Sequence, residues 1–128
     1  MKKLFLIILA MAFLTACGQD KESKQEAAYM NITAKQAKEI IDTREGYVIL
    51  DTRTREEYDE SHIPGAILIP HDQILVKAES VLTDKEQLIL VYCRSGRRSK
   101  LAAKDLVKLG YTNIKEFGGI IDWPYEVE

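Results

Sequence analysis

Histidine, cysteine and proline are scarce in this sequence, which has two His, two Cys and three Pro among its 128 residues. The positions of His62, His71 and Cys93 do not match the ligand spacing of a zinc site, so we expect no metal centre. We also expect no organic cofactor. The chain also lacks an excess of basic residues, and its formal net charge of −2 gives no general attraction to nucleic acid. With 46% apolar and 30% charged residues, the composition is otherwise typical of one globular domain.

A hydrophobic run long enough to cross a membrane is also missing. The longest apolar segment, from Leu4 to Leu14, has 11 residues. As a helix it would span about 16 Å, against a hydrocarbon core of roughly 30 Å. Because it follows Met1, Lys2 and Lys3, the segment is typical of an export signal peptide and not of a membrane-spanning helix.

The signal ends in a short motif, Leu14-Thr15-Ala16-Cys17, that resembles the lipobox of bacterial lipoproteins. The resemblance implies that residues 1–16 are removed and that Cys17 is lipidated. The alternative is an ordinary signal peptide with an incidental Cys. Residues 17–30 are mostly polar and have no apolar period, so we expect a flexible tether. The predicted location is the bacterial cell envelope, where residues 31–128 form a domain held to the extracytoplasmic side of the membrane by the lipid anchor only.

Helix and strand signals alternate along the rest of the chain. Capping boxes at Thr33 with Gln36 and at Thr54 with Glu57 predict the starts of two helices. Repeated β–α units with short connections predict an α/β fold, with a parallel sheet covered by helices on both faces. The predicted strands are residues 47–50, 66–69, 88–92 and 113–117, and the predicted helices lie near residues 33–44, 54–60, 72–79, 100–109 and 119–123.

Cys93 lies between a predicted buried strand and a predicted amphipathic helix. In a parallel sheet this is the carboxyl edge, where ligands bind and where the amides of a tight loop point at an anion. Loop amides, a helix N-terminus and nearby guanidinium groups stabilise a thiolate, so we expect Cys93 to be nucleophilic near neutral pH. The alternative is a buried core Cys. The predicted anion-binding loop consists of Arg94, Ser95, Gly96, Arg97, Arg98 and Ser99.

Several separated motifs follow one another between Ile32 and about Glu126. They are Leu50-Asp51-Thr52-Arg53 with Glu56-Glu57-Tyr58, His62-Ile63-Pro64-Gly65-Ala66 with Ile69-Pro70, the Cys93 loop, and Gly118-Gly119-Ile120 with Trp123-Pro124. In this order they resemble the rhodanese family, in which sulfane sulfur is transferred through a cysteine persulfide. The resemblance implies a three-layer α/β/α domain around a five-stranded, mostly parallel sheet. The sequence departs from the common family pattern at Thr52, Ser61 and Leu68, none of which lies in the Cys93 loop.

Asp51 and Arg53 follow a predicted strand, so they should reach the same edge of the sheet as Cys93. They are candidates to support the loop. In the alternative interpretation they have a structural role, in which Asp51 holds backbone amides and Arg53 meets Glu56 or Glu57.

We therefore expect a sulfurtransferase that moves sulfane sulfur from a small anionic donor, such as thiosulfate, to cyanide or to a thiol. This donor and these acceptors are implied by the resemblance alone. Two alternatives remain: a persulfide carrier or sensing module with little turnover, and a phosphatase of the Cdc25 type. The phosphatase signature has five residues between Cys and Arg, whereas here Ser99 is the sixth residue after Cys93 and the loop arginine, Arg98, comes one position early.

Lipidation of Cys17 predicts stable attachment to the membrane. A single acyl chain binds a membrane only marginally, whereas two or more chains hold a protein there stably. When cells are fractionated, we expect the wild-type protein in the membrane fraction and the Cys17→Ala variant outside it. Recovery of both proteins in the soluble fraction would contradict the lipoprotein prediction.

Overall fold

The apolar run Leu88–Cys93 forms the central strand of the sheet. All of its residues are buried in the computed structural model, which describes residues 28–128. The predicted signal peptide and Cys17 lie outside the described residues, as does most of the predicted tether. The sheet has five strands, which are, from one edge to the other, β1 (Met30–Asn31), β5 (Ile114–Gly119), β4 (Leu88–Cys93), β2 (Tyr47–Asp51) and β3 (Ile67–Leu68).

Every strand pairs with its neighbours in parallel. Parallel neighbours need crossover connections, which helices usually supply, so this arrangement confirms the predicted α/β fold. Among residues 28–128, no helix is long and apolar enough to cross a membrane. The helices are α1 (Ala34–Thr43), α2 (Arg55–Glu60), α3 (Ile74–Val81) and α4 (Arg97–Lys108), with short 3-10 turns at His71–Gln73 and Ile120–Asp122.

Each face of the sheet carries its own apolar core, because successive residues of a strand point to opposite faces. On one face Ile89 and Val91 of β4 pack in a cluster that includes residues of α3 and α4. On the other face Leu88 and Leu90 pack in a cluster that includes Ala37 of α1. Helices therefore cover both faces, and the domain has the three layers that the rhodanese resemblance implies.

Both predicted capping boxes are present. The Thr33 side chain accepts a hydrogen bond from the Gln36 backbone N–H, and the Gln36 side chain accepts one from the Thr33 N–H. Thr54 and Glu57 exchange the same pair of bonds at the start of α2. These bonds satisfy backbone donors that a helix N-terminus otherwise leaves unpaired, and they set where the two helices begin.

Several predicted boundaries differ from the structure; α3, for example, covers Ile74–Val81 and not residues 72–79, because the chain first makes the 3-10 turn His71–Gln73. Strand β1 was not predicted, because its two residues, Met30 and Asn31, are too few to show an apolar period; its first residue lies within the predicted tether. Helix α4 begins at Arg97, earlier than predicted, because its first turn is polar and its apolar period starts later. The predicted last helix is only the 3-10 turn Ile120–Asp122, and Gly119 belongs to β5.

The burial of the central strand predicts that truncating its side chains lowers the stability of the domain. Leu90 is 0% exposed, so Leu90→Ala should lower the free energy of unfolding by about 2–5 kcal/mol through lost burial and the cavity left behind. Leu75 of α3 is 52% exposed, and Leu75→Ala is the matched control with an expected change below about 1 kcal/mol. Urea unfolding of the two variants measures both values. Equal losses would contradict this assignment of the core.

Candidate active site

Cys93 ends β4 at the carboxyl edge of the sheet, as predicted. In the register of the parallel strands it faces Gly119 of β5, next to an irregularity in the pairing between Val91 and Cys93. The residue is only 1% exposed. Its protonation is therefore determined by neighbouring protein groups more than by bulk water.

The backbone of Arg94, Ser95 and Gly96 turns the chain from β4 into α4. Gly96 has a φ of +110°, in the left-handed region that favours glycine. Its backbone N–H donates to the Cys93 Sγ at 3.0 Å. A loop amide thus points at the sulfur, which is the geometry expected of an anion-binding loop.

Opposing effects act on the pKa of the Cys93 thiol. Burial raises it, whereas hydrogen bonds from the side chain and backbone of Ser99 and from the backbone of Gly96 and Ser95 lower it, and the net pKa lies below the ordinary thiol value. The Arg98 guanidinium also interacts with the charge of the thiolate. The site therefore favours the nucleophilic form of Cys93.

The loop backbone lies directly against Gly119. A Cβ atom at this position would be 1.9 Å from the Arg94 carbonyl oxygen, which is far inside van der Waals contact. The same oxygen accepts a hydrogen bond from the Ile121 N–H at 3.2 Å. Gly119 thus has a steric role, because only a residue without a side chain lets β5 approach the loop this closely.

Arg98 is held by an ion pair with Glu57. Its Nη1 and Nη2 atoms donate to the two carboxylate oxygens at 2.7 and 2.9 Å, and both side chains are partly buried. The Arg98 hydrogen bond is the largest cause that lowers the pKa of Glu57 to about 2. Glu57 also caps α2 through Thr54, so one carboxylate connects the start of α2 to the first turn of α4.

Asp51 and Arg53 form a buried ion pair beside the loop, with an Nη2–Oδ2 distance of 2.7 Å. As predicted for the structural role, Asp51 also accepts the backbone N–H of Arg53, at 2.9 Å. The prediction that Arg53 meets Glu56 or Glu57 is wrong, since Asp51 lies within its reach and Glu57 is taken by Arg98. Asp51 also accepts a hydrogen bond from the Tyr92 hydroxyl at 2.6 Å. The Asp51–Arg53 pair therefore helps to fix Tyr92, the residue directly before Cys93.

The remaining loop positions differ in exposure. Arg94, Ser95 and Arg97 are exposed, while Ser99 is buried at 0%. Of the three loop arginines, Arg98 is thus the one fixed close to the sulfur, and the other two lie at the surface where they add positive charge around the loop.

His62 is engaged in local contacts. Its ring stacks on Tyr58 with 3.8 Å between the ring centroids, and its Nδ1 lies 2.9 Å from the Tyr58 carbonyl oxygen. Its backbone exchanges two hydrogen bonds with Glu128. Across residues 28–128, no group of three His, Cys, Asp or Glu side chains is arranged to hold a metal ion.

Glu116 is a buried residue of the site that the sequence reasoning missed. It lies on β5, is 1% exposed, and accepts hydrogen bonds from the Ser99 hydroxyl and the Gly118 N–H. The available signal was a charged residue within a predicted strand, two positions before the Gly118-Gly119 motif. On a half-buried strand such a residue usually faces solvent, so its orientation needed the structure.

A family model described as a rhodanese-like domain matches residues 33–124. The chain belongs to this family. The match contains the Cys93 loop, the Glu57–Arg98 pair and the Gly118-Gly119 motif, so the geometry described above lies within the shared domain.

Similar proteins carry names connected with sulfur chemistry. The chain is 33% identical over 112 residues to YrkF of Bacillus subtilis, a protein named as a candidate sulfur carrier, with 87% of this chain and 60% of YrkF covered. The chain thus spans less than two thirds of that relative. It is 36% identical over 73 residues to the thiosulfate sulfurtransferase PspE of Escherichia coli, covering 57% of this chain and 70% of PspE. A solved rhodanese from E. coli with bound anions superposes with a TM-score of 0.60 at 32% identity, covering 64% of this chain and 96% of that one.

The Glu57–Arg98 pair predicts a pH-dependent stability. Because the pKa of Glu57 in the folded protein is about 2, below its ordinary 4.5, the stabilisation is complete above about pH 4.5 and is lost as the pH falls towards 2. We expect Glu57→Gln to be less stable than wild type at pH 7, and the difference to shrink below pH 4.5. Urea unfolding at several pH values measures this, with the exposed Glu56→Gln as the control. A difference that is constant with pH would show that Glu57 does not act through its charge.

Proposed function

We propose that the protein is a sulfurtransferase that carries sulfane sulfur on Cys93 as a persulfide. The observation that carries the proposal is the Gly96 N–H donating to the Cys93 Sγ at 3.0 Å, in a loop that lowers the pKa of this thiol. Membership of the rhodanese-like family and the names of the relatives support the same chemistry.

The proposed reaction has two half-reactions. The Cys93 thiolate attacks the outer sulfur of a donor such as thiosulfate; a new S–S bond forms, the S–S bond of the donor breaks, and sulfite leaves with the bonding electron pair. The loop amides then stabilise the negative charge on the terminal sulfur of the persulfide. A nucleophilic acceptor, cyanide or a thiol, attacks that terminal sulfur, and the Cys93 thiolate is released.

The loop geometry favours sulfur over phosphate chemistry. Three residues, Arg94, Ser95 and Gly96, separate the end of β4 from the start of α4, so the amides converge close to the Cys93 sulfur. A phosphate monoester brings three further oxygens and a leaving group. The Arg98 guanidinium, the group expected to bind phosphate oxygens, is already occupied by both carboxylate oxygens of Glu57.

A persulfide carrier with little turnover is the second candidate. The burial of Cys93 and the likeness to YrkF favour it, because a carrier needs a protected persulfide and a specific protein acceptor. The two candidates share the loading step and differ in the acceptor. We include in the proposal that the domain acts on the extracytoplasmic side of the membrane, attached through lipidated Cys17; this rests on the sequence motif alone.

Loading of the protein tests the proposal. After incubation with thiosulfate and removal of the excess, we expect the intact mass to rise by one sulfur atom and the added sulfur to be lost on addition of cyanide. Cys93→Ser is the matched control and should remain unloaded, since a hydroxyl cannot carry sulfane sulfur as a persulfide. An unloaded wild-type protein that hydrolyses an aryl phosphate would contradict the proposal in favour of a phosphatase. Loading that is discharged by a protein thiol, with negligible turnover on cyanide, would favour the carrier.

A further inference from the structure

The loop after Cys93 and helix α4 carry much of the positive charge of the domain. Residues 94–108 contain six basic residues and one acidic residue, a formal charge of +5. The other residues between 28 and 128 include eight basic and sixteen acidic residues, a formal charge of −8. Solubility requires only a net charge away from zero, so it does not explain a positive segment on a negative domain. The segregation of charge instead indicates a surface that binds something negative.

The exposed side chains of α4 lie on one face of the helix, because they recur at intervals of three and four positions. We call this surface the basic face; it consists of Arg97, Lys100, Leu101, Lys104 and Lys108. At 1.5 Å per residue the face is about 16 Å long. It begins at the Cys93 loop, because Gly96 is the last residue before α4.

Much of this charge is not neutralised within the domain. Among residues 28–128, Arg97 and Lys104 form no ion pair. Lys108 lies 3.7 Å from a carboxylate oxygen of Asp105 on the same helix, and its side chain is well exposed. Lys100 is paired with a buried carboxylate of β5, yet its side chain is half exposed. The basic face can therefore accept further carboxylates from outside the domain.

The basic face is longer than a small donor at Cys93 can use. Lys104 lies about 10 Å along the helix from Arg97, and Lys108 about 16 Å. At physiological salt, interactions between exposed charges are largely screened beyond about 8 Å. The two lysines therefore add little to the binding of an anion such as thiosulfate. They can, however, contact a macromolecule that lies along the helix.

Apolar side chains accompany the charge. Leu101 is exposed in the middle of the basic face. Helix α3 packs against α4 and exposes Leu75 and Val76. Protein interfaces combine apolar contacts with a polar and charged rim, whereas nucleic acid is bound mainly through its phosphates. The combination of charge and apolar surface favours a protein as the partner.

We propose that the basic face of α4 binds an acidic protein that carries the acceptor thiol. The inference rests on the proposed function and specifies its acceptor. Carboxylates of the partner lie along α4 while its thiolate attacks the terminal sulfur of the Cys93 persulfide. A new S–S bond forms on the acceptor, and the Cys93 thiolate leaves with the electron pair of the old bond. Complementary charge of this kind raises the association rate and selects the partner.

Disulfide exchange of Cys93 with charged peptides tests the surface. Each peptide has one Cys, activated as a thiopyridyl disulfide, followed by about six residues that span about 20 Å when extended and are rich in Glu, Gln or Lys. We expect the Glu peptide to react faster than the Gln peptide and the Lys peptide to react slower, with differences that shrink as the salt concentration rises. The rate is followed by mass spectrometry of the protein fragment that contains Cys93, so that Cys17 does not contribute.

Lys104→Glu is the deciding variant, because Lys104 is exposed and lies outside the Cys93 loop. We expect its rate with the Glu peptide to fall roughly two- to tenfold. Its rate with dithiodipyridine, a small neutral disulfide, should change by less than about 1.5-fold. The matched control is Lys35→Glu, which changes the net charge equally but lies on α1, at the other face of the sheet. Equal effects of the two variants on the Glu peptide would overturn the proposal, as would no effect of either.

An anionic membrane is the competing occupant, since lipid head groups would be attracted by the same charge. Vesicles of phosphatidylglycerol, mixed with the Cys17→Ala protein that lacks the predicted lipid anchor, test this alternative. Binding that Lys104→Glu abolishes, without an effect of Lys104→Glu on peptide exchange, would overturn the proposal in favour of the membrane. A lack of vesicle binding, together with a preference for the Glu peptide that depends on Lys104, supports the acidic protein.

The exchange reaction uses no sulfur donor. Its failure is therefore distinguishable from failure of the proposed function, which is measured by loading with thiosulfate. We expect Lys104→Glu to load like the wild type and then to pass its sulfur to the thiol form of the Glu peptide more slowly than the wild type does. A protein that loads normally but shows no charge preference in its acceptor would keep the proposed function and lose this inference.

Discussion

The site depends on the parallel pairing of β4 with a strand on each side. Because β2 and β5 run in the same direction as β4, all three end at one edge of the sheet, and Cys93 is the last residue of the central strand. Asp51 at the end of β2 supports Tyr92, and Gly119 at the end of β5 packs against the loop backbone. Residues far apart in sequence therefore meet around the loop that holds Cys93.

The loop is held from two sides by contacts of different kinds. On one side the Glu57–Arg98 ion pair connects the first turn of α4 to the start of α2. On the other side the contact is steric: the backbone of β5 at Gly119 lies so close to the Arg94 carbonyl that no side chain would fit between them. A loop fixed in this way presents its amides without reorganising when negative charge develops on the sulfur, which is the condition for electrostatic stabilisation in a buried site.

Negative charge at this edge is distributed among separate partners. Asp51 is neutralised by Arg53, Glu57 by Arg98, and Glu116 by Lys100. The Cys93 thiolate is left with the hydrogen-bond donors of its loop and the field of Arg98. Such a site can hold a small anion on sulfur and still release it, because no full positive charge is committed to the sulfur alone. Both a turnover enzyme and a carrier need this balance.

Most of the fold and the centre of the site followed from local patterns in the sequence. Capping boxes and apolar runs are short-range features, so α1, α2, β2 and β4 were predicted closely, and the strand–loop–helix signal identified Cys93 and its loop.

Pairings between distant residues could not be predicted from these local patterns. Arg53 was predicted to meet Glu56 or Glu57, yet it pairs with Asp51, because Glu57 is taken by Arg98, 41 positions further along the chain. Glu116 was not singled out from the sequence, because its burial and its contact with Ser99 depend on how β5 packs against α4. The sequence by itself determined most of the elements and the candidate nucleophile, since those depend on neighbours along the chain. The tertiary structure decided which charged side chains form ion pairs with each other, since that depends on the distances between elements once the sheet has formed.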